Sequence, residues 1–348
     1  MKKRNLSAKK RIHNFYIKNL KNLKIKKIYI KFKKKLDSQN AKRIAVAISG
    51  GPDSIALAYL TKCYSLKNNK RFFYFIVDHK IRKESTKEAE ITKKKLKIFG
   101  IKCEILTWGK KKKISNLQSS ARENRYNLIF KKCLKRKINL VLTAHHKNDI
   151  YENFFIRLIR GSGLKGLSSF NSLKTKISKD NDIFIFRTLL DIPKSDLEYI
   201  SNKTINFFVK DSSNENEKFL RVKIRKLMNR LKEEGLDLSK FNLTLNNLYT
   251  SNQTIEFYVQ KNINENSKFL KNQKIILNEH FLNQPSEIVF RSFSELIHKL
   301  GNRNKLTRGR KILNLIQDIN FSKNYKKKTL SGCIIEKSNK SIIISRES

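Results

Sequence analysis

The sequence predicts an α/β fold, with a parallel sheet covered by helices on both faces and a smaller, mainly helical C-terminal domain ending in a β-hairpin. Three observations predict it. From Arg43 to Pro193, short apolar runs rich in branched residues alternate with longer stretches of helical spacing, the order that a parallel sheet with crossover helices requires. The apolar runs end in polar residues, at the carboxyl ends where such sheets bind ligands. Beyond Gly235 the texture changes to short amphipathic segments.

Each element follows in order. Residues 1–40 form a basic extension with Asp37 as its only acid; lacking a sustained apolar period or a clear cap, it reads as a flexible or partly helical arm. IAVAIS, from Ile44, is a continuous apolar run and reads as a buried central strand. It enters SGGPDS, Ser49 to Ser54, and then a helix in IALAYLTKCYSL. A second strand is FFYFIVDH, Phe72 to His79, followed by a helix near Ser85, where Ser85 and Glu88 suggest a capping box. IKCEILTW makes a third strand and SSARENRYNLIFKKCLKR the next helix. LVLTAHH, Leu140 to His146, feeds a helix at Lys147. IFIFRTLL, Ile183 to Leu190, adds a strand before a helix beyond Pro193. The expected domains are therefore 1–40, 41–235 and 236–348. In the last, SEIVFRSFSELIHKLG and RGRKILNLIQDI read as helices, and the end as two strands around Asn339.

Composition limits the function classes. Against 78 Lys plus Arg stand 29 Asp plus Glu, a net charge of +49, which attracts polyanions and nucleic acid first. Lys, Asn and Ile are also abundant together, as under an A+T codon bias, so charge alone names no partner. Cys63, Cys103, Cys133 and Cys333 form no CxxC pair, which argues against a disulfide scaffold or a cysteine metal site. No apolar run reaches membrane-spanning length, and no apolar leader opens the chain. The expectation is a cytoplasmic protein with no membrane partner.

SGGPDS is the sharpest feature. Gly50 and Gly51 let phosphate approach the backbone, and the amides at the helix start make an anion cradle. Ser49 and Ser54 offer hydroxyls, and Pro52 suits an early helical position. Asp53 would repel bare phosphate, so its sensible role is to hold phosphate-bound magnesium. The ending excludes a Walker loop and the glycine spacing excludes a dinucleotide fingerprint. The competing reading is an ordinary Gly-Gly turn with a cap, which the strand-to-helix context disfavours.

His145, Asp149 and Glu152 share one side of the following helix. Two carboxylates on so basic a chain could hold the ammonium of an amine substrate, bind magnesium (Asp149 beside Asp53) or accept a proton. A solvated face paired with lysines is the alternative. Asp78 and His79 end the second strand where they would flank a nucleotide, unless they merely cap it. Arg125 offers a phosphate fork or a surface salt bridge, and Arg82 and Arg160 are candidate RNA contacts. Phe154, Phe155, Leu158 and Ile159 are expected to bury the far side of the helix that carries Asp149.

Taken together, SGGPDS, VDHKIRKES, NLQSSARENRY and TAHHKNDIYENFFIRLIRGSGLKGL resemble the PP-loop family of ATP pyrophosphatases, and within it the lysidine synthases. RTLLDIPKSDL and KDSSNENEKFLRVKIR match less closely. The likeness spans Arg43 to Arg225, and the closing TLSGCIIEK…RE is similar to the end of some members. It implies a Rossmann-like PP-loop sheet that binds ATP and Mg2+ and cleaves ATP between its α and β phosphates. The implied reaction ligates free L-lysine to carbon 2 of the wobble cytidine of tRNA(Ile) with a CAU anticodon. It places His145, Asp149 and Glu152 in the active site and Arg122 near the nucleotide. Arg221 and Arg225 become candidate contacts to RNA phosphates or the activated base, and the C-terminal domain a tRNA-binding element. Asn148 stands where the family usually has an acid and is expected to be a cap or a support. Thr188, Ser212 and Val222 depart from family positions as well. The rivals are a PP-loop tRNA sulfur-transfer enzyme, which would use catalytic cysteines or an iron–sulfur cluster, and a non-catalytic basic RNA-binding protein. A homodimer is left open.

Overall fold

The computed structural model describes residues 2–80, 84–109, 117–169, 172–176, 182–209, 220–270, 273–301, 307–321, 325 and 327–347, with side chains not described for 2–9 and 117–122. The chain divides into two compact units, Met1–Phe241 and Asn242–Ser348.

The first unit opens with helices, not a loose arm: α1 (Lys2–Leu20) and α2 (Leu23–Asp37). Asn22 caps α2, accepting from the Ile25 amide at 3.1 Å. Ile25, Ile28, Tyr29, Phe32 and Leu36 repeat at helical spacing and are all buried, together with Tyr16 of α1. The lysines between them hid a regular apolar stripe. Each such side chain contributes about 1.5–3 kcal/mol by leaving water, so these helices complete the core instead of trailing from it.

The sheet is built from β1 (Arg43–Ile48), β2 (Arg71–Asp78), β3 (Cys103–Thr107), β4 (Leu140–Leu142), β5 (Lys174–Lys176) and β6 (Phe184–Phe186). Its order is β3-β2-β1-β4-β6-β5, parallel except for the antiparallel edge strand β5. The intervening helices are α3 (Pro52–Ser65), α4 (Ser85–Ile98), α5 (Leu117–Lys135), α6 (Lys147–Ile159), α7 (Leu164–Ser168) and α8 (Lys194–Lys203), and α9 (Leu220–Glu233) follows. Alternation along β1 feeds both faces: Ile44, Val46 and Ile48 join the core with α2, α3 and α8, while Ala45 joins Phe75, Val141, Ile129 and Cys133 on the other side. After β1 the chain builds β2 and β3 outward on one side, then returns to lay β4 on the other. That reversal opens a crevice between the carboxyl ends of β1 and β4.

The second unit begins within α10 (Leu238–Asn266) and holds β7 (Ser267–Leu270), β8 (Lys274–Leu277), α11 (Ser286–Leu300), α12 (Gly309–Phe321), β9 (Lys327–Leu330), β10 (Cys333–Ser338) and β11 (Ser341–Arg346). The two helices and the terminal hairpin stand as read, with Asn339 at φ 51° in the turn. The hairpin is the centre of a five-stranded antiparallel sheet, β7-β8-β11-β10-β9, rather than an isolated pair. Val259, Phe281, Phe293, Leu296, Ile335 and Ile344 form its core. Among the described residues no helix is long and apolar enough to cross a membrane.

Candidate active site

The crevice holds a cleft of about 430 Å³. One wall is SGGPDS, running from the end of β1 into α3. Gly50 has φ +87°, a conformation that favours glycine. A Cβ there would sit 3.0 Å from Thr92 Oγ1, and its carbonyl accepts from the Val209 amide at 3.0 Å. Gly51 caps α3 and Pro52 is its first residue. The Ser54 hydroxyl is spent within the loop, donating to Gly51 O at 2.9 Å and accepting from the Ser49 amide at 3.2 Å. Ser54 therefore shapes the cradle, while Ser49, Gly51, Pro52 and Asp53 line the cleft with it. Asp53 Oδ1 is buried without a partner among the described residues, at the positive end of α3.

The opposite wall rises from β4 and α6. His145 lines the cleft, its Nδ1 2.8 Å from Thr143 Oγ1. His146, read as a helix-start residue, is the N-cap of α6 and closes a capping box with Asp149. Its buried ring also stands between the two acids, with Nε2 3.6 Å from Asp53 Oδ2 and 3.7 Å from Asp149 Oδ2. Burial works against charge on His146, but Asp53, Asp149 and Glu152 outweigh it and raise its pKa.

Asp149 and Glu152 are buried and engaged by arginine. Arg221 Nη2 donates to Asp149 Oδ1 at 2.8 Å and its Nε to Glu152 Oε2; Arg225 Nε donates to Glu152 Oε1 at 2.6 Å. Asp149 Oδ2 accepts from the His146 amide at 3.0 Å. Burial alone would raise the Asp149 pKa, but His146, Arg221 and His145 hold it below the usual carboxylate range. Arg221 is likewise raised, its burial overcome by the two acids. Both arginines line the cleft, so α9 presents guanidinium groups to it, backed by the buried carboxylates of α6. Arg221 and Arg225, expected to contact RNA phosphates or the activated base, thus stand at the cleft.

At the end of β2, Asp78 takes the capping alternative. It accepts from the Lys80 amide at 3.0 Å, Ser85 Oγ at 2.9 Å and Thr86 Oγ1 at 2.7 Å. These bonds outweigh its burial and lower its pKa. Where a Ser85–Glu88 capping box was expected, Glu84 occupies the N-cap of α4 and the Ser85 hydroxyl donates to Asp78. His79 lines the cleft and its Nε2 accepts from Arg125 Nε at 3.2 Å. Burial and Arg125 lower its pKa to about 4, so the ring is neutral.

Arg82, Asp211, Ser212 and Asn214 lie outside the described residues, and Arg122 is on α5 with its side chain outside them. Arg160 is exposed and ends α6 away from the cleft. Phe154 and Phe155 pack against Phe241, but Leu158 and Ile159 are exposed, not buried as expected. Asn148 is a support: its Oδ1 accepts from the Lys194 amide at 3.1 Å, fixing α8 to α6. Lys194 and Glu88 line the cleft and were not anticipated as site residues. Lys194 had a visible signal, since it follows Pro193 at a helix start beyond a strand's carboxyl end.

Comparison with known proteins agrees with this geometry. The PP-loop domain profile matches residues 24–231. A tRNA(Ile)-lysidine synthase of Rickettsia prowazekii (strain Madrid E) is 35% identical over 314 residues, covering 88% of this chain and 70% of that protein. The chain belongs to the PP-loop family, among the tRNA(Ile)-lysidine synthases. The Rickettsia felis protein is 33% identical over the same shares. That of Rickettsia rickettsii (strain Sheila Smith) is 42% identical over 184 residues, 53% of this chain and 37% of its own length. Among solved structures, the U34-tRNA thiolase NcsA of Methanococcus maripaludis, with its [4Fe-4S] cluster, superposes with a TM-score of 0.54 at 16% identity. The match covers 67% of this chain and 78% of that one. At that identity it shows a shared fold and nothing of the chemistry.

Proposed function

We propose that this chain ligates free lysine to carbon 2 of the wobble cytidine of CAU-anticodon tRNA(Ile), through an adenylated tRNA. One observation carries the reading: in a lysidine synthase relative, a phosphate loop and an acid-backed pair of arginines face each other across one cleft. The cytidine oxygen on carbon 2 attacks the α phosphorus of ATP and pyrophosphate leaves. An amine of lysine then attacks carbon 2, and the oxygen departs with AMP. An amide-like oxygen is a poor leaving group, and adenylation removes that obstacle.

The loop amides and Ser49 bind phosphate. Arg221 and Arg225 stabilise charge that develops on the transferred phosphate, and the acids behind them keep both guanidinium groups aimed without motion at the moment of reaction. A lysine amine attacks only when neutral, and His145 is the cleft group positioned to take its proton. Asp53 fits magnesium, because its buried Oδ1 has no partner among the described residues; Asp149, whose oxygens each accept one hydrogen bond and keep a second lone pair, is proposed beside it. Such an ion is held by few carboxylates together with substrate phosphates. When bound, it would neutralise phosphate charge. The second unit is proposed to contact the tRNA away from the anticodon.

The test incubates the protein with ATP, labelled lysine and unmodified tRNA(Ile). Label entering RNA, with AMP and pyrophosphate formed in equal amounts, is expected. RNA left unlabelled while ATP stays intact would remove the proposal. Asp53→Asn should suppress pyrophosphate release by about 100-fold or more; equal turnover would remove the magnesium assignment.

A further inference from the structure

The cleft accounts for a small part of the chain's charge, and the clearest unused cationic surface is on α2. Asp37, the sole acid of α1 and α2, is occupied by Lys33 and by Tyr64 Oη at 2.8 Å. The inner face of α2 is fixed in the core by Ile25, Ile28, Tyr29, Phe32 and Leu36, so its outer face has a set orientation. That face carries Lys27, Lys31 and Lys34, all exposed, and none has a carboxylate partner among the described residues. They recur at four and three residues, a single stripe about 10 Å long.

The position of α2 ties this stripe to the cleft. Lys35 donates to Thr188 O at 2.9 Å and pairs with Asp191, Lys24 pairs with Asp196 at 2.7 Å, and Asn22 Nδ2 donates to Tyr199 Oη at 3.0 Å. The helix therefore lies along the segment 188–199, which also puts Lys194 on the cleft wall.

We propose that the outer face of α2, through Lys27, Lys31 and Lys34, binds the phosphate backbone of an RNA stem whose unpaired base occupies the cleft. The proposal rests on the tRNA-modifying reading above and adds a docking surface to it. Lysines at helical spacing suit backbone contacts that set register without reading sequence. An anionic membrane is the competing partner, since Leu23 and Ile30 are exposed on the same helix. Two aliphatic side chains make too small an apolar face for interfacial insertion, which needs a broad one with bulky anchors.

The test measures binding of an unmodified tRNA transcript across a salt series, for the whole chain and two charge-matched variants. One is K27Q/K31Q/K34Q. The other, K94Q/K97Q/K135Q, removes exposed lysines near the carboxyl ends of α4 and α5, at the sheet end away from the cleft. The first variant should bind on the order of ten-fold more weakly at near-physiological salt, with a slope of log affinity against log salt shallower by about 2–3. Its turnover at saturating tRNA and its melting midpoint should match the wild type, and the second variant should bind normally. Equal losses in both variants would reduce the effect to net charge and overturn the proposal. So would unchanged tRNA affinity in the first variant with lost binding to anionic phospholipid vesicles. Because binding is read directly, a wild type that binds with this lysine dependence yet makes no lysidine overturns the catalytic reading and supports the surface.

Discussion

At the residue scale the site depends on pairs that are remote in sequence. Arg221 is 69 residues from Glu152 and 72 from Asp149, and both carboxylates are buried, so losing its guanidinium leaves charge in them poorly compensated. Arg221→Ala should cost about 3 kcal/mol, the low end for breaking a buried pair because the guanidinium keeps some solvent; the urea midpoint measures it. Its turnover should fall by about 100-fold while the KM for tRNA moves by less than about three-fold, since the group faces the cleft. A rise in that KM with turnover intact would return Arg221 to the RNA surface. His79 supplies a pH signature. Its folded pKa of about 4 lies below the ordinary 6.5, so the unfolded chain binds a proton in that window that the folded chain refuses. Stability is therefore full above pH 6.5 and falls as pH drops toward 4. The part owed to a half-buried ring is about 1–2 kcal/mol. His79→Gln should remove that share of the decline in a urea-midpoint series from pH 7 to 4, and a parallel curve would contradict it.

At the scale of elements, much was legible because local signals agreed. IAVAIS is apolar without a break, SGGPDS punctuates it, and the strand-helix alternation leaves few topologies. The PP-loop residues could be placed at the crevice from sequence because that loop is contiguous. Arg221 and Arg225 could be nominated but not located, since only folding brings α9 against α6. The helix α2 is hidden for another reason: its apolar stripe is diluted by seven lysines. β7 and β8 are hard to read because KNQ between them lacks the Gly or Pro that marks a turn. The missed helix makes a firm prediction. Phe32 is 1% exposed within the main core, so Phe32→Ala should destabilise the protein by about 3–5 kcal/mol in chemical denaturation. A change below 1 kcal/mol would return residues 1–40 to the status of a loose arm.

At the scale of the whole molecule, a shared fold does not fix the chemistry, which the side chains around the crevice supply. Sulfur transfer, the enzymatic rival read from the sequence, must be separated from lysine ligation. Cysteine placement separates them. Cys63, Cys133 and Cys333 are buried, and Cys103 lies on β3; none is among the residues lining the cleft. Burial pushes Cys63, Cys103 and Cys133 up to about 12, so they stay thiols, and the thiolate is the reactive form. A sulfur carrier needs thiolates at the adenylated base, whereas lysine brings its own nucleophile. Alkylating the native protein with iodoacetamide should therefore leave lysidine formation within about two-fold of the untreated rate, with little label taken up before denaturation. Replacing all four cysteines with alanine should give the same result after correction for folded fraction, each buried site costing about 1 kcal/mol in stability. Loss of tRNA modification in the folded, cysteine-free protein would show that a thiol takes part in the reaction, and the assignment of the cleft to lysine ligation would fail with it.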